Sequence, residues 1–100
     1  DVSEINRLIA VYEPVWAIGT GLSDNSDHAL SAALLIRKII SRLYGSEWAV
    51  DMPILYGGSV SEENTADFIA QKGIDGALVG GASLELQGFM KIIKAAGKNE

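Results

Sequence analysis

The chain has 100 residues, enough for one domain, and its composition is globular, with 48% hydrophobic and 21% charged residues. Zero cysteines exclude a disulfide framework and a thiolate metal site, and fit a reducing cytosol. A formal charge of −5 with scattered Lys and Arg argues against nucleic acid, and no stretch reaches the roughly 18 apolar residues of a membrane span.

The start at Asp1 suggests processing or excision from something longer, and no signal-like segment opens the chain. Leu8-Ile9-Ala10-Val11 is a short apolar run that predicts a buried strand over 8–12. Pro14-Val15-Trp16 and then Ile18-Gly19-Thr20 follow it, stiff residues outside and small ones inside, as in a lid that moves on a few hinge dihedrals. Asn25 or Ser26 caps a helix predicted over 26–44, in which Ala29, Leu30, Ala33, Leu34, Ile36, Ile40 and Leu43 recur at helical spacing up to Gly45. A second strand is predicted over 53–56, opened by Pro53 where no ladder donor is needed. Ser61 caps a second helix over 62–72, ending near Gly73, with Glu62 and Glu63 in its first turn. A third strand over 76–79 and a third helix over 84–96 complete the chain, with Gly88 a local weakness in that helix.

The order β-α-β-α-β-α predicts an α/β fold with a parallel sheet. Each strand is followed by a Gly-rich turn, so those turns gather at the carboxyl end of the sheet, where such folds bind ligands. A carboxylate at that end, Glu13, flanked by Tyr12, Pro14 and Trp16, is expected to be partly desolvated and thereby suited to act as a general base. Gly19, Ser59, Gly80 and Gly81 offer backbone amides that an anion can approach closely, with 80–83 leading into a helix start. A protein this acidic must hold a phosphate by such local dipoles. His28 reads as a solvated residue in a first helical turn, and the pairs Met52/Met90 and Trp16/Trp48 read as anchors. Arg37, on a helix facing the sheet, is placed to pair with Asp75 and lock the third strand.

Three runs carry a resemblance to the triosephosphate isomerase family, in the family's order and spacing. They are Tyr12-Glu13-Pro14-Val15-Trp16-Ala17-Ile18-Gly19-Thr20-Gly21, Ile54-Leu55-Tyr56-Gly57-Gly58-Ser59-Val60 and Ile74-Asp75-Gly76-Ala77-Leu78-Val79-Gly80-Gly81-Ala82-Ser83-Leu84. The resemblance implies the C-terminal portion of the family's sequence, the sixth to eighth βα units of a partial TIM (β/α)8 barrel of roughly 250 residues. It makes Glu13 the base that moves a proton between adjacent carbons of a phosphorylated triose, interconverting dihydroxyacetone phosphate and D-glyceraldehyde 3-phosphate. It makes Gly19, Ser59, Gly80 and Gly81 the phosphate contacts. Pro14, Val15, Trp16, Ala17, Ile18 and Thr20 become the lid, with Tyr56 and Ser59 in the loop that receives it. That enzyme is itself the reference case for a Glu base working with a neutral imidazole and for lid closure, so these roles come with the resemblance.

The resemblance also implies a cytoplasmic homodimeric parent in glycolysis and gluconeogenesis, with no cofactor and no metal. Leu22 stands where the family usually has a Lys near the lid hinge. The family's electrophilic His and its Lys come from earlier strands that no segment here matches, and His28 does not occupy the required place. Alone, the chain is therefore expected to be inactive or nearly so. Its open sheet edges are expected to pair with the remainder of the barrel or with copies of itself, or to leave it loosely packed. The alternatives are a non-catalytic phosphate-binding or self-associating folding fragment, and another phosphate-handling barrel enzyme, against which the Glu13 lid run speaks.

Overall fold

The computed structural model describes residues 2–14 and 25–97. Three parallel strands, β1 (Ala10–Tyr12), β2 (Ile54–Tyr56) and β3 (Gly76–Ala77), form one sheet in the order β1-β2-β3. Ala10 pairs with Ile54 and Tyr12 with Tyr56; Leu55 pairs with Gly76 and Tyr56 with Ala77. Helices α1 (Ser26–Tyr44) and α2 (Ser46–Asp51) connect the first two strands, and α3 (Glu62–Ile69) connects the second and third. A short 3-10 turn, Gly81–Leu84, and then α4 (Leu86–Gly97) follow β3.

Local chemistry explains most boundaries. The Asn25 side chain accepts from the His28 amide at 2.7 Å, and α1 stops at Gly45, whose φ of +112° few side chains adopt. On α1 the fully buried positions are Ala29 and Ala33, whose small side chains let the helix approach the sheet. Leu34 and Leu43, in phase with them, remain exposed. His28 is exposed in the first turn.

Several elements differ from the sequence expectation. The first strand begins at Ala10, not at residue 8: the Ala10 amide donates to Pro53 O, and Met52, just before, is the C-cap of α2. Leu8 and Ile9 are exposed. A 3-10 helix, Val2–Arg7, and the six-residue α2 are additional elements. Helix α3 ends at Ile69, and the chain turns through Gln71 N–Phe68 O and Ile74 N–Gln71 O bonds before β3. Strand β3 stops at Ala77, although the Leu78 amide still donates to Tyr56 O at 2.8 Å.

The last helix begins at Leu86. Glu85, in extended conformation, separates it from the 3-10 turn, and its carboxylate accepts from the amides of Gln87 and Gly88 at 3.1 and 2.6 Å. Gly88 thus sits in a capped first turn, where a missing side chain is no weakness.

The core lies between the sheet and the helices, around Ile54, Tyr56, Phe68, Ile74 and Ile92. The Tyr56 ring stacks on Phe68 at 3.9 Å and 10°, and Tyr12 tilts against it at 6.5 Å. Among the described residues the outer edges of β1 and β3 have no strand partner. Large apolar side chains, including Leu35, Ile39, Val50, Leu78, Leu84 and Ile93, are also exposed.

Candidate active site

The carboxyl ends of the three strands open into one cavity of about 680 Å³. Glu13 lines it from the end of β1, residues 57–60 from the turn after β2, and residues 78–82 from the turn after β3. Adjacent strands lie about 4.8 Å apart, so the rims of β1 and β3 are about 10 Å apart. Glu13 is the one ionisable side chain among the described lining residues.

Glycine is what allows this approach. The Gly57 amide donates to Tyr12 O at 2.8 Å, and a Cβ on Gly57 would lie 2.6 Å from Val11 Cγ1 and 2.8 Å from Glu13 Cγ. The end of β2 therefore seats the methylenes of Glu13 in space that any other residue would fill. A Cβ on Gly58 would overlap the Tyr56 hydroxyl, which stacking on Phe68 holds in place. Gly58→Ala is accordingly expected to destabilise the fold by about 1–3 kcal/mol, the range for overpacking a filled site. Urea denaturation reads this as a lower midpoint at constant slope, and an unchanged midpoint would refute it.

At the far side, a Cβ on Gly80 or Gly81 would meet nothing within 4 Å. Their bare backbone faces open space at the cavity rim. The expected helix start at 80–83 is instead a four-residue 3-10 turn. Ser83 spends both its hydroxyl (2.6 Å) and its amide (2.9 Å) on Gly80 O, which closes the turn early and keeps α4 from beginning before Leu86.

Glu13 is exposed, so its described neighbours do not bury it as expected, whereas Pro14 is buried. Tyr56 is 1% exposed and lies beneath the rim rather than in the cavity lining. Val15, Trp16, Ala17, Ile18, Gly19 and Thr20, the expected lid with its phosphate amide, lie outside the described residues, as does Leu22. His28 does not line the cavity. Asn64 is a residue that sequence reasoning missed: it bonds Ser59 O through its amide group at 2.8 Å. The Ser61-x-x-Asn64 spacing of a capping box was the available signal.

The family model described as triosephosphate isomerase matches residues 1–96. The chain belongs to the triosephosphate isomerase family. It is 50% identical over 91 residues to the triosephosphate isomerase of Dictyoglomus thermophilum, covering 91% of this chain and 36% of that one. The triosephosphate isomerase of Chlorobaculum tepidum is 47% identical over 97 residues, 97% of this chain and 40% of that one. That of Thermus thermophilus is 48% identical over 90 residues, 90% of this chain and 36% of that one. The chain thus spans between a third and two fifths of the length of these curated relatives. Its parallel βα units are part of the family's (β/α)8 barrel. Among the described residues no helix is long and apolar enough to cross a membrane.

Proposed function

We propose that this chain supplies the sixth to eighth βα units, the C-terminal portion, of a triosephosphate isomerase that interconverts dihydroxyacetone phosphate and D-glyceraldehyde 3-phosphate. The Glu13 carboxylate takes a proton from one carbon of the bound triose and returns it to the adjacent carbon. No bond to phosphorus changes. Backbone amides of Ser59, Gly80 and Gly81, with Gly19, hold the phosphate, and no cofactor takes part. The observation that carries this reading is the single cavity with Glu13 on one wall and the bare Gly80–Gly81 backbone on another. The family membership supports the same chemistry. Residues Pro14, Val15, Trp16, Ala17, Ile18 and Thr20 form the lid in this reading, with Tyr56 receiving it, and the parent enzyme is a cytoplasmic homodimer.

A carboxylate and an anion cradle are not a complete catalyst. The developing oxyanion needs a donor, and none of the cavity's described side chains is cationic or an imidazole. The donor belongs to the remainder of the barrel, and that remainder is the partner we assign to the two open sheet edges. Without it, the exposed leucines and isoleucines of α1, of α4 and of the segment just before β1 drive the isolated chain to associate with itself. Sedimentation is expected to show a concentration-dependent mass above 10.6 kDa. A monodisperse monomer with a cooperative calorimetric transition would count against this.

The functional test is a segment swap. This chain replaces the matched segment of a full-length relative, and isomerase turnover is measured with Glu13 intact and with Glu13→Gln. If the swapped enzyme is inactive or indifferent to Glu13, the non-catalytic phosphate-binding reading takes its place.

A further inference from the structure

Asn64 makes three hydrogen bonds around one turn. Its Oδ1 accepts from the Ser61 amide at 2.8 Å, and its own amide donates to Ser61 Oγ at 3.3 Å. These close the capping box of α3. Its Nδ2 donates to Ser59 O at 2.8 Å, which no capping box requires. One side chain thus bridges Val60, gripping the chain on both sides of it.

The usual residue at this helix position is Glu or Gln. Glu accepts from the cap amide but has no donor for Ser59, and Gln carries its donor one methylene further out. Asn is the short side chain that satisfies both groups. Because the peptide unit is planar, holding Ser59 O also fixes the plane that carries the Val60 amide. Both residues line the cavity. From below, the Tyr56 hydroxyl presses on Gly58. The turn is therefore held from the α3 side by Asn64 and packed closely at Gly58 on the other.

We propose that Asn64 is a positioning residue of the active site, tying the start of α3 to the Ser59 turn so that this turn presents one conformation to the anion. The anion-binding role of Ser59 rests on the isomerase reading. The clamp itself does not.

Two variants separate the clamp from the cap. Asn64→Asp keeps an acceptor for the Ser61 amide and places a carboxylate where a helix start favours it, but loses the donor to Ser59. Ser61→Ala weakens the cap and leaves the clamp. Backbone 15N order parameters of the segment-swapped enzyme, recorded without ligand, are the readout. In the wild type, Ser59 and Val60 are expected near the rigid value of about 0.85. Asn64→Asp is expected to lower them toward about 0.6 while the first turn of α3 stays rigid. Ser61→Ala is expected to loosen that first turn and leave Ser59 and Val60 unchanged.

Order parameters at Ser59 and Val60 that are already low in the wild type, or unchanged in Asn64→Asp, overturn the proposal. A titration with inorganic phosphate then tests the other layer. If phosphate shifts no amide of Ser59, Gly80 or Gly81 in a chain that shows the Asn64 effect, the anion reading fails and the clamp stands.

Discussion

Glu13→Gln in the segment-swapped isomerase is expected to lower kcat by about 10²–10⁴, the contribution typical of one general base. The amide is isosteric, so the contact of Glu13 Cγ against the bare α-carbon of Gly57 is preserved and the end of β1 keeps its place. What is lost is the ability to accept a proton from carbon. In the proposed reading the phosphate is held two strands away, at the rim formed by Gly80 and Gly81, so KM is not expected to rise. Inhibition by inorganic phosphate should hold or strengthen, because the cavity loses its one described negative charge. Glu13→Asp withdraws the carboxylate by one methylene, and a displacement of about 1 Å is worth about 10²-fold. Steady-state kinetics on the three proteins decides the matter. A loss of kcat below tenfold would remove Glu13 from the chemistry, and an equal loss of phosphate affinity would make it structural.

The geometry beneath that prediction was largely legible in the sequence, because it follows from topology. Three apolar runs, each followed by glycines, can only place those glycines together if the strands are parallel. The register does place Tyr12 beside Tyr56 and Tyr56 beside Ala77, so the turns that follow share one rim. The helix starts at Ser26 and Glu62 were equally legible from Asn25 and Ser61, since a cap is a local interaction.

What failed to show itself was masked by a continuous apolar spacing, too short to be periodic, or non-local. The break at Glu85 depends on a carboxylate folding back onto two amides, within a run whose apolar spacing reads as one continuous helix. Helix α2 is six residues long, too short for a periodic signature, and leaves only Ala49 buried. The close seats of Gly57 and Gly58 depend on side chains from β1 and β2, so their sequence reads only as loop punctuation. The exposure of Glu13 has the same origin. Flanking Tyr12 and Pro14 suggest burial, but in a parallel strand neighbours in sequence point to different faces, and only partners in space can cover a side chain.

The Arg37–Asp75 pair was also legible, and the structure enlarges it. Arg37 Nη2 donates to Asp75 Oδ2 at 2.8 Å and to Gly73 O at 2.9 Å, while Nη1 donates to Ala49 O and Met52 O at 2.8 and 2.7 Å. The same Asp75 oxygen accepts from the Ile54 amide at 2.8 Å. One guanidinium therefore ties α1 to the end of α2, to the turn before β3 and, through Asp75, to the start of β2.

Arg37→Ala strands three backbone carbonyls and a carboxylate. Each unsatisfied group in a dry site costs about 1–3 kcal/mol. Asp75 is half exposed, so water re-satisfies part of the set, and a total of about 3 kcal/mol is expected. For a domain of this size that lowers Tm by about 12–24 °C. Arg37→Lys should fall between Ala and wild type, since a single ammonium cannot serve a fork of four acceptors. Asp75→Asn should be the mildest, keeping an acceptor for Ile54.

All of these contacts lie at the amino ends of β2 and β3, opposite the cavity rim. In the swapped enzyme kcat per folded molecule should therefore stay within about twofold of wild type, as barrels divide stability and chemistry between their two ends. Urea denaturation and kinetics on the same preparations test both halves. A midpoint unchanged in Arg37→Ala would show the network to be inert, and a large fall in kcat at full folding would show that the two ends of the sheet are not independent.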